Sequence, residues 1–278
     1  MSRTPGAPEP AEAAETTEAF ERFVARLAAG PTGPEHSAAP DGSGAEPPSW
    51  PAQLAAALFH GQDDRTARHW ARSVHTALGR LEGPVPFAVV HDWHARAVAP
   101  LLAEVSARRG GDGAALESVR RLHERALAGE RPTRQEWTEA LGPALTQVYG
   151  YAYAYADAYA TASVNAREYA MDNDYGEEKA AEFAAMYAKL NTDANARSYA
   201  DANALANTRA LAAAFAGADG QAFARAYPFA YVHAYALADA ERAERTGREE
   251  RYRAACARLA DGLGAALDRA AGRAREDA

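Results

Sequence analysis

Residues 149–172 read YGYAYAYADAYATASVNAREYAMD, and the conformation of this stretch decides the fold. Tyr149, Tyr151, Tyr153 and Tyr155 alternate with glycine or alanine, which taken alone is a strand pattern. Alanine, however, is the best helix former and a poor strand former. Downstream the spacing becomes helical. At about 100° per residue, Val148, Tyr151, Tyr155, Tyr159, Ala162, Ala166 and Tyr169 form one stripe, and Tyr149, Tyr153, Arg167 and Met171 form another. The stretch therefore reads as a helix. Its tyrosines on two faces predict a central helix of a bundle, covered on both sides.

The pattern continues outward. All but one of the 13 tyrosines lie within 144–246, mostly separated by alanine. Asp172-Asn173-Asp174 interrupts the first helix. Asp174 and Glu177 have the spacing of a cap and its acidic third residue, predicting a second helix over about 175–190 with Phe183, Met186, Tyr187 and Leu190 on its apolar side. A turn is expected at 191–193 and a third helix over 194–217. A fourth carries Phe223, Tyr227, Tyr231 and Tyr235, with Pro228 kinking it or delaying its start. The tail 248–276 reads as an Arg/Glu helix packing by a narrow stripe of Tyr252, Leu259, Leu263 and Leu267.

Towards the N-terminus the helices are shorter. Pro51 starts one, and Asp63 or Asp64 caps the next, which carries Trp70 and Val74. A longer helix is expected from Pro86 to Arg109, and another over 114–128. Thr133 and Glu136 form a capping box, and Gly142-Pro143 is expected to end or kink the helix that follows. Residues 1–49 hold most of the Pro, Gly and Ser clusters and read as a disordered arm. Within it, Phe20, Phe23, Val24 and Leu27 predict a short amphipathic helix at about 17–29, either docking on a partner or packing back on its own domain. The expectation is an all-α, Ala/Tyr-rich multi-helix bundle: a disordered N-terminal arm, then a single helical domain over 50–278.

Composition limits the function. The net charge is −8, with acids and bases interleaved, which argues against nucleic acid as the main partner. Every basic residue except Lys179 and Lys189 is arginine, a bias of GC-rich coding. The single cysteine, Cys256, excludes an intrachain disulfide and fits a reducing compartment. No membrane span or signal peptide is read, so a cytoplasmic location is expected. Gly-x-Ser-x-Gly and phosphate-cradling glycine loops are missing.

Three patterns are candidate sites. The first is the polar-aromatic ladder of Tyr151, Tyr155, Tyr159, Asn165, Asn195, Tyr199, Asn203, Asn207, Tyr231 and Tyr235. Asparagine is a poor helix former, so these positions suggest interhelical hydrogen bonding, an interface between protomers, or the lining of a ligand cavity. The second is His91 and His94, one turn apart, with His69 and His75 on the preceding helix; packing histidines are favoured over a metal site. The third is Asp174, Glu178 and Glu182, which steps of four would place on one ridge able to hold Mg²⁺. This third spacing resembles the second metal motif of class I terpene cyclases, with Asp63-Asp64 in place of the aspartate-rich motif and Arg251-Tyr252 in place of the late Arg-Tyr pair. Glu178 stands where that family has Ser or Thr, and nothing acidic follows Asp64 at the third or fourth position. The resemblance implies an Mg²⁺-dependent, diphosphate-handling enzyme. The leading expectation is instead a non-catalytic helical protein without a cofactor, which binds a protein partner or self-associates through its Ala/Tyr/Asn-rich helices.

Overall fold

A computed structural model describes residues 10–30, 49–81, 83–152, 155–226, 228–240 and 247–276. Among them are twelve α-helices and no strand: α1 (Pro10–Ala28), α2 (Trp50–His60), α3 (Asp64–Gly79), α4 (Ala88–Trp93), α5 (Ala99–Arg108), α6 (Ala114–Leu127), α7 (Arg134–Ala152), α8 (Tyr155–Asp172), α9 (Glu177–Gly217), α10 (Gly220–Arg225), α11 (Pro228–Ala240) and α12 (Arg248–Glu276). The all-α bundle read from the sequence is the fold. The disorder expected over 1–9 and 31–48 lies outside the described residues. The amphipathic helix inside the arm begins earlier than expected, at Pro10. It packs back on α2 and α3 through buried Phe20, Phe23, Val24 and Leu27.

Local chemistry sets the helix starts. Pro51 sits in the first turn of α2, where its missing N–H costs nothing. Asp63 accepts the Thr66 N–H at 3.0 Å to open α3. At α7 the capping box is complete: the Glu136 carboxylate accepts the Thr133 N–H at 2.7 Å, and the Thr133 hydroxyl accepts the Glu136 N–H at 3.2 Å. The Thr133 N–H, then the Arg125 guanidinium, hold the Glu136 carboxyl down to about 2. Pro228 occupies the first position of α11, so it delays that helix, and Phe223, expected in the same helix, belongs to the separate α10.

Two prolines fall inside helical runs and have different outcomes. Pro143 neither ends nor breaks α7. Pro143 and Glu139, the residue whose carbonyl loses its intrahelical donor, are both exposed, on the side of α7 that faces solvent. Pro100 has the larger effect. The helix expected from Pro86 to Arg109 is α4 and α5 joined by a π-turn at His94–Val98. There the Ala99 N–H reaches the His94 carbonyl, five residues back. The widened turn accommodates a ring that would otherwise clash with the carbonyl of Arg96.

The tail helix α12 is central, not a one-stripe attachment. It packs on α2, α3, α4, the π-turn and α11. Cys256, Leu259, Ala260, Leu263, Ala266, Leu267 and Ala270 are all buried. Trp70 donates its indole N–H to the Ala260 carbonyl at 2.7 Å, and Trp93 donates to Leu259 at 2.8 Å. Gly262 makes the approach possible, because a Cβ there would run into the Cβ of Ala97. Asp92, almost fully buried, binds Arg269 and Arg96 at 2.6 Å each, and Arg258 clamps Glu104 through two hydrogen bonds.

The largest departure from expectation is α9. The second and third predicted helices are one helix of 41 residues, about 60 Å long at 1.5 Å per residue. The turn expected at 191–193 does not form. Thr192 is buried in the helix, and Asn191 donates its side-chain amide to the Tyr187 carbonyl at 2.9 Å. An asparagine bonded to the preceding turn in this way need not break the helix. The C-terminal half of α9 packs on α7 and α10, burying Leu211, Ala212, Ala214 and Phe215. Its N-terminal half forms an antiparallel hairpin with α8. That hairpin is closed by alanine: Ala166 and Ala170 of α8 face Ala180, Ala184 and Ala188 of α9, all buried. Since α8 packs substantially on α9 alone among the described residues, it is half of a two-helix arm and not the covered central helix.

Substitutions at two glycines of α12 should act in opposite directions. Gly262→Ala forces Ala97 and its backbone to shift and should cost about 1–3 kcal/mol. Gly272→Ala, where a Cβ meets nothing, should stabilise by about 0.5–1 kcal/mol through helix propensity. Thermal denaturation followed by circular dichroism reads both. Equal melting temperatures for the two variants would contradict the close approach at Gly262.

Candidate functional site

The arm turns at residues 173–176. Asp174 adopts a left-handed conformation (φ 57°), its N–H bonds the Met171 carbonyl, and the Tyr175 N–H bonds the Ala170 carbonyl at 3.1 Å. This is a Schellman ending of α8. Asp174 therefore terminates α8 and does not cap α9, whose N-cap is Gly176. The two helices are tied near the tip by Arg167 and Glu177 at 3.0 Å, and further down by the Tyr159 hydroxyl, which donates to the Ala185 carbonyl.

Alanine closes the seam, so the large side chains stay outside it. Tyr169, Tyr175, Phe183 and Tyr187 form one aromatic cluster with ring centroids 5.5–6.2 Å apart along Tyr169–Phe183, Tyr175–Phe183 and Phe183–Tyr187. Beside it, Met186 is 57% exposed and Leu190 is 70% exposed. Val164, Met171 and Leu205 are exposed as well. Every large apolar side chain exposed among the described residues belongs to α8, α9 or the turn between them.

The described ladder residues do not form one surface. Tyr231 and Tyr235 are buried in α11, 5.6 Å apart, and burial pushes both hydroxyls above their usual range. Tyr151 is half-buried at the end of α7, where its hydroxyl accepts from Gln147 at 2.7 Å and Arg109 stacks on its ring. Tyr159 and the exposed Asn165 lie on the arm. Asn203 and Asn207 are half-buried, and Asn207 donates to the Asn203 carbonyl of its own helix at 3.0 Å. The side chains of Tyr155, Asn195 and Tyr199 lie outside the described residues.

The acidic ridge does not assemble either. Asp174 is in the turn, outside α9, while Glu178 and Glu182 are exposed on α9. Asp63 is occupied as the α3 cap, and Tyr252 meets His233 at 2.8 Å. The described residues hold no group of three or more His, Cys, Asp or Glu side chains placed for a metal ion.

His91 and His94 do converge, but with His123 of α6 and not with His69 or His75. His91 Nδ1 lies 3.0 Å from His123 Nδ1. His94 stacks on His123 at 4.6 Å and bonds the Val90 carbonyl through Nδ1. Trp137 and Phe215 complete the cluster. The Nε2 atoms of His94 and His123 have no hydrogen-bond partner among the described residues. Both residues border a cavity of about 30 Å³ walled by Val98, Leu102, Leu116, Leu141 and Leu145, room for roughly one water-sized molecule. Burial lowers His91 to about 4 and His94 to about 3, and holds His123 well below its ordinary value. At neutral pH all three rings are uncharged. Burial likewise pushes the Cys256 thiol up to about 12, which keeps it protonated at neutral pH. A concavity of about 1180 Å³, open to solvent, lies between α1, α2, α3 and α10. Its ionisable lining is Arg26, His75 and Asp219, and Asp219 is committed to capping α10.

Two features escaped the sequence reading. His123 follows Leu116 and Val119 at i+7 and i+4, a helical apolar stripe that marks it as buried. The exposure of Met186, Tyr187 and Leu190 was signalled by alanines every fourth residue at 180, 184 and 188. Those alanines offer a seam that excludes the large side chains. No helix among the described residues is long and apolar enough to cross a membrane. No protein family matches the chain, nor does any curated protein or solved structure.

The histidine cluster predicts acid sensitivity. With folded-state values below the unfolded value of ~6.5, the unfolded chain takes up protons first. The stability these rings contribute is full above pH ~6.5 and is lost as pH falls through about 4. Urea denaturation at pH 7 and pH 4.5 should show a loss on the order of a few kcal/mol, and His123→Leu should lose less between the same two values. An equal pH dependence in the variant would remove this explanation.

Proposed function

We propose that this protein is a non-catalytic interaction module that engages a helical protein surface through the arm formed by α8 and the N-terminal half of α9. One observation carries the reading: among the described residues, the exposed large apolar side chains all fall between Val164 and Leu205. Leaving such groups in water forfeits roughly 25 cal/mol per Å² of apolar area, and an exposed apolar cluster such as that of Tyr169, Tyr175, Phe183 and Tyr187, with Met186 and Leu190 beside it, marks an interaction site. Tyrosine and methionine are the residues enriched at protein interfaces. Tyrosine adds apolar area while its hydroxyl stays hydrated.

The shape of the patch supports a helical occupant. Its residues follow the ribs of two helices, so a second helix can lie along them. The alanine seam beneath fixes the ribs without using their large side chains.

Site-specific photo-crosslinking in cells tests this reading. A photoreactive phenylalanine analogue at Leu190 should give an adduct whose partner peptide, mapped by mass spectrometry, comes from a helical segment. The same analogue at the exposed Arg121 of α6 should give none. Absence of an adduct at Leu190, or equal yields at both positions, would sink the proposal.

A further inference from the structure

We infer that the occupant of the arm is a second copy of this chain, lying antiparallel to the first about a two-fold axis near Met186. The inference rests on the arm being an interface and names its partner.

The argument comes from the order of charges along α9. Glu178, Lys179 and Glu182 lie on the tip side of Met186, and Lys189, Asp193 and Arg197 lie on the body side. In steps of about 100° these six residues and Met186 share one edge of the stripe formed by Phe183, Tyr187 and Leu190. Glu178, Glu182, Lys189 and Arg197 are exposed, and no ion pair of theirs lies among the described residues. By contrast, Glu177, beside them in sequence, is paired with Arg167.

A two-fold axis turns this order into complementarity. An axis at Met186 sets position 182 of one copy opposite position ~190 of the other. Glu182 then meets Lys189 of the second copy, and Glu178 comes within reach of the long side chain of Arg197. Symmetry repeats both pairs, giving four across the interface. A parallel arrangement would set acid on acid and base on base. At the axis Met186 meets Met186, flanked by Tyr187 and Leu190 of both copies, so the most exposed apolar groups cover one another.

The span from Glu178 to Arg197 is about 28 Å at 1.5 Å per residue, long enough for both pairs and the Met186 contact to form together.

Sedimentation velocity on the full chain over a range of concentrations tests the inference. Wild type should approach twice 29.6 kDa. Glu182→Lys should weaken dimerisation about tenfold by setting lysine against lysine. Adding Lys189→Glu reverses both members of each pair and should restore affinity to within about threefold. Both positions are exposed, and circular dichroism checks that the variants stay folded. A wild type that is monomeric throughout overturns the inference, as does a dimer indifferent to Glu182→Lys or not rescued by the double exchange. The crosslink at Leu190 separates this failure from failure of the underlying reading. A monomer whose Leu190 probe captures a different, identified protein refutes self-pairing and leaves the arm an interface. A monomer with no adduct removes both.

Discussion

Trp93 and Trp70 donate their indole N–H groups to the carbonyls of Leu259 and Ala260, consecutive residues of α12. The two donors come from different helices, so α12 is fixed in rotation and in height against α3 and α4 together. Each carbonyl keeps a lone pair for its own helix, so neither helical bond need be lost. The arrangement requires small residues on α12. Gly262 leaves room for Ala97 of the π-turn, and the π-turn exists because Pro100 cannot continue an α-helical ladder. A proline in one helix, a glycine in another and two indoles between them form one constraint. The buried Asp92, bound by Arg269 and Arg96, depends on the same register. Buried ion pairs of this kind often specify geometry more than they stabilise it, which fits a carboxylate at the point where three segments meet.

The molecule joins two kinds of helix packing. In the body, Trp, Phe, Leu and Val side chains interdigitate over many helices. In the arm, alanine methyl groups meet across one seam. An alanine contact buries little area, at about 25 cal/mol per Å², but it permits close backbone approach and costs no side-chain entropy. The arm is therefore held by helix propensity and by continuity with the body, since α9 runs unbroken from one into the other. That continuity explains why α9 has no internal break. A turn at Asn191 would disconnect the arm from Leu211 and Phe215, the residues that anchor the helix in the core.

The sequence disclosed the all-α class, the capping box at Thr133 and Glu136 and a cap at Asp63 or Asp64, because each rests on neighbours within one turn. At Pro228 it left a kink or a delayed start open, and it did not separate Phe223 from α11. It did not disclose the length of α9. Asn191 and Asp193 have the composition of a turn, and only the pairing of Asn191 with the Tyr187 carbonyl shows why the helix continues. The candidate ladder was assembled by residue type, and the fold distributes it between the arm, the core of α11 and the end of α7. The acidic ridge failed for a local reason: the left-handed Asp174 belongs to the end of one helix and not to the start of the next. The histidine cluster was half legible. His91 and His94 were visible as a pair, but His123 joins them from 29 residues beyond His94 along the chain. Periodicity within one helix carries no information about that contact.

The arm's weak internal packing bears on what a partner does to it. A ligand that binds only the folded state stabilises it by RT ln(1 + [L]/Kd), about 2.7 kcal/mol at a hundredfold excess over Kd. In the body this would be a modest addition to a large core. In the arm, where methyl contacts and a few bridges such as Arg167–Glu177 oppose fraying, the same free energy is comparable with everything that closes the hairpin. Under the proposed pairing, association and arm formation are one coupled equilibrium. The exposed aromatic cluster then has a second role. Tyr169, Tyr175, Phe183 and Tyr187 already touch one another in the single chain, so their rings are partly ordered before any partner arrives. Ordering of side chains is among the costs of association. A pre-assembled cluster lowers that cost at the one surface where the rest of the chain supplies no support.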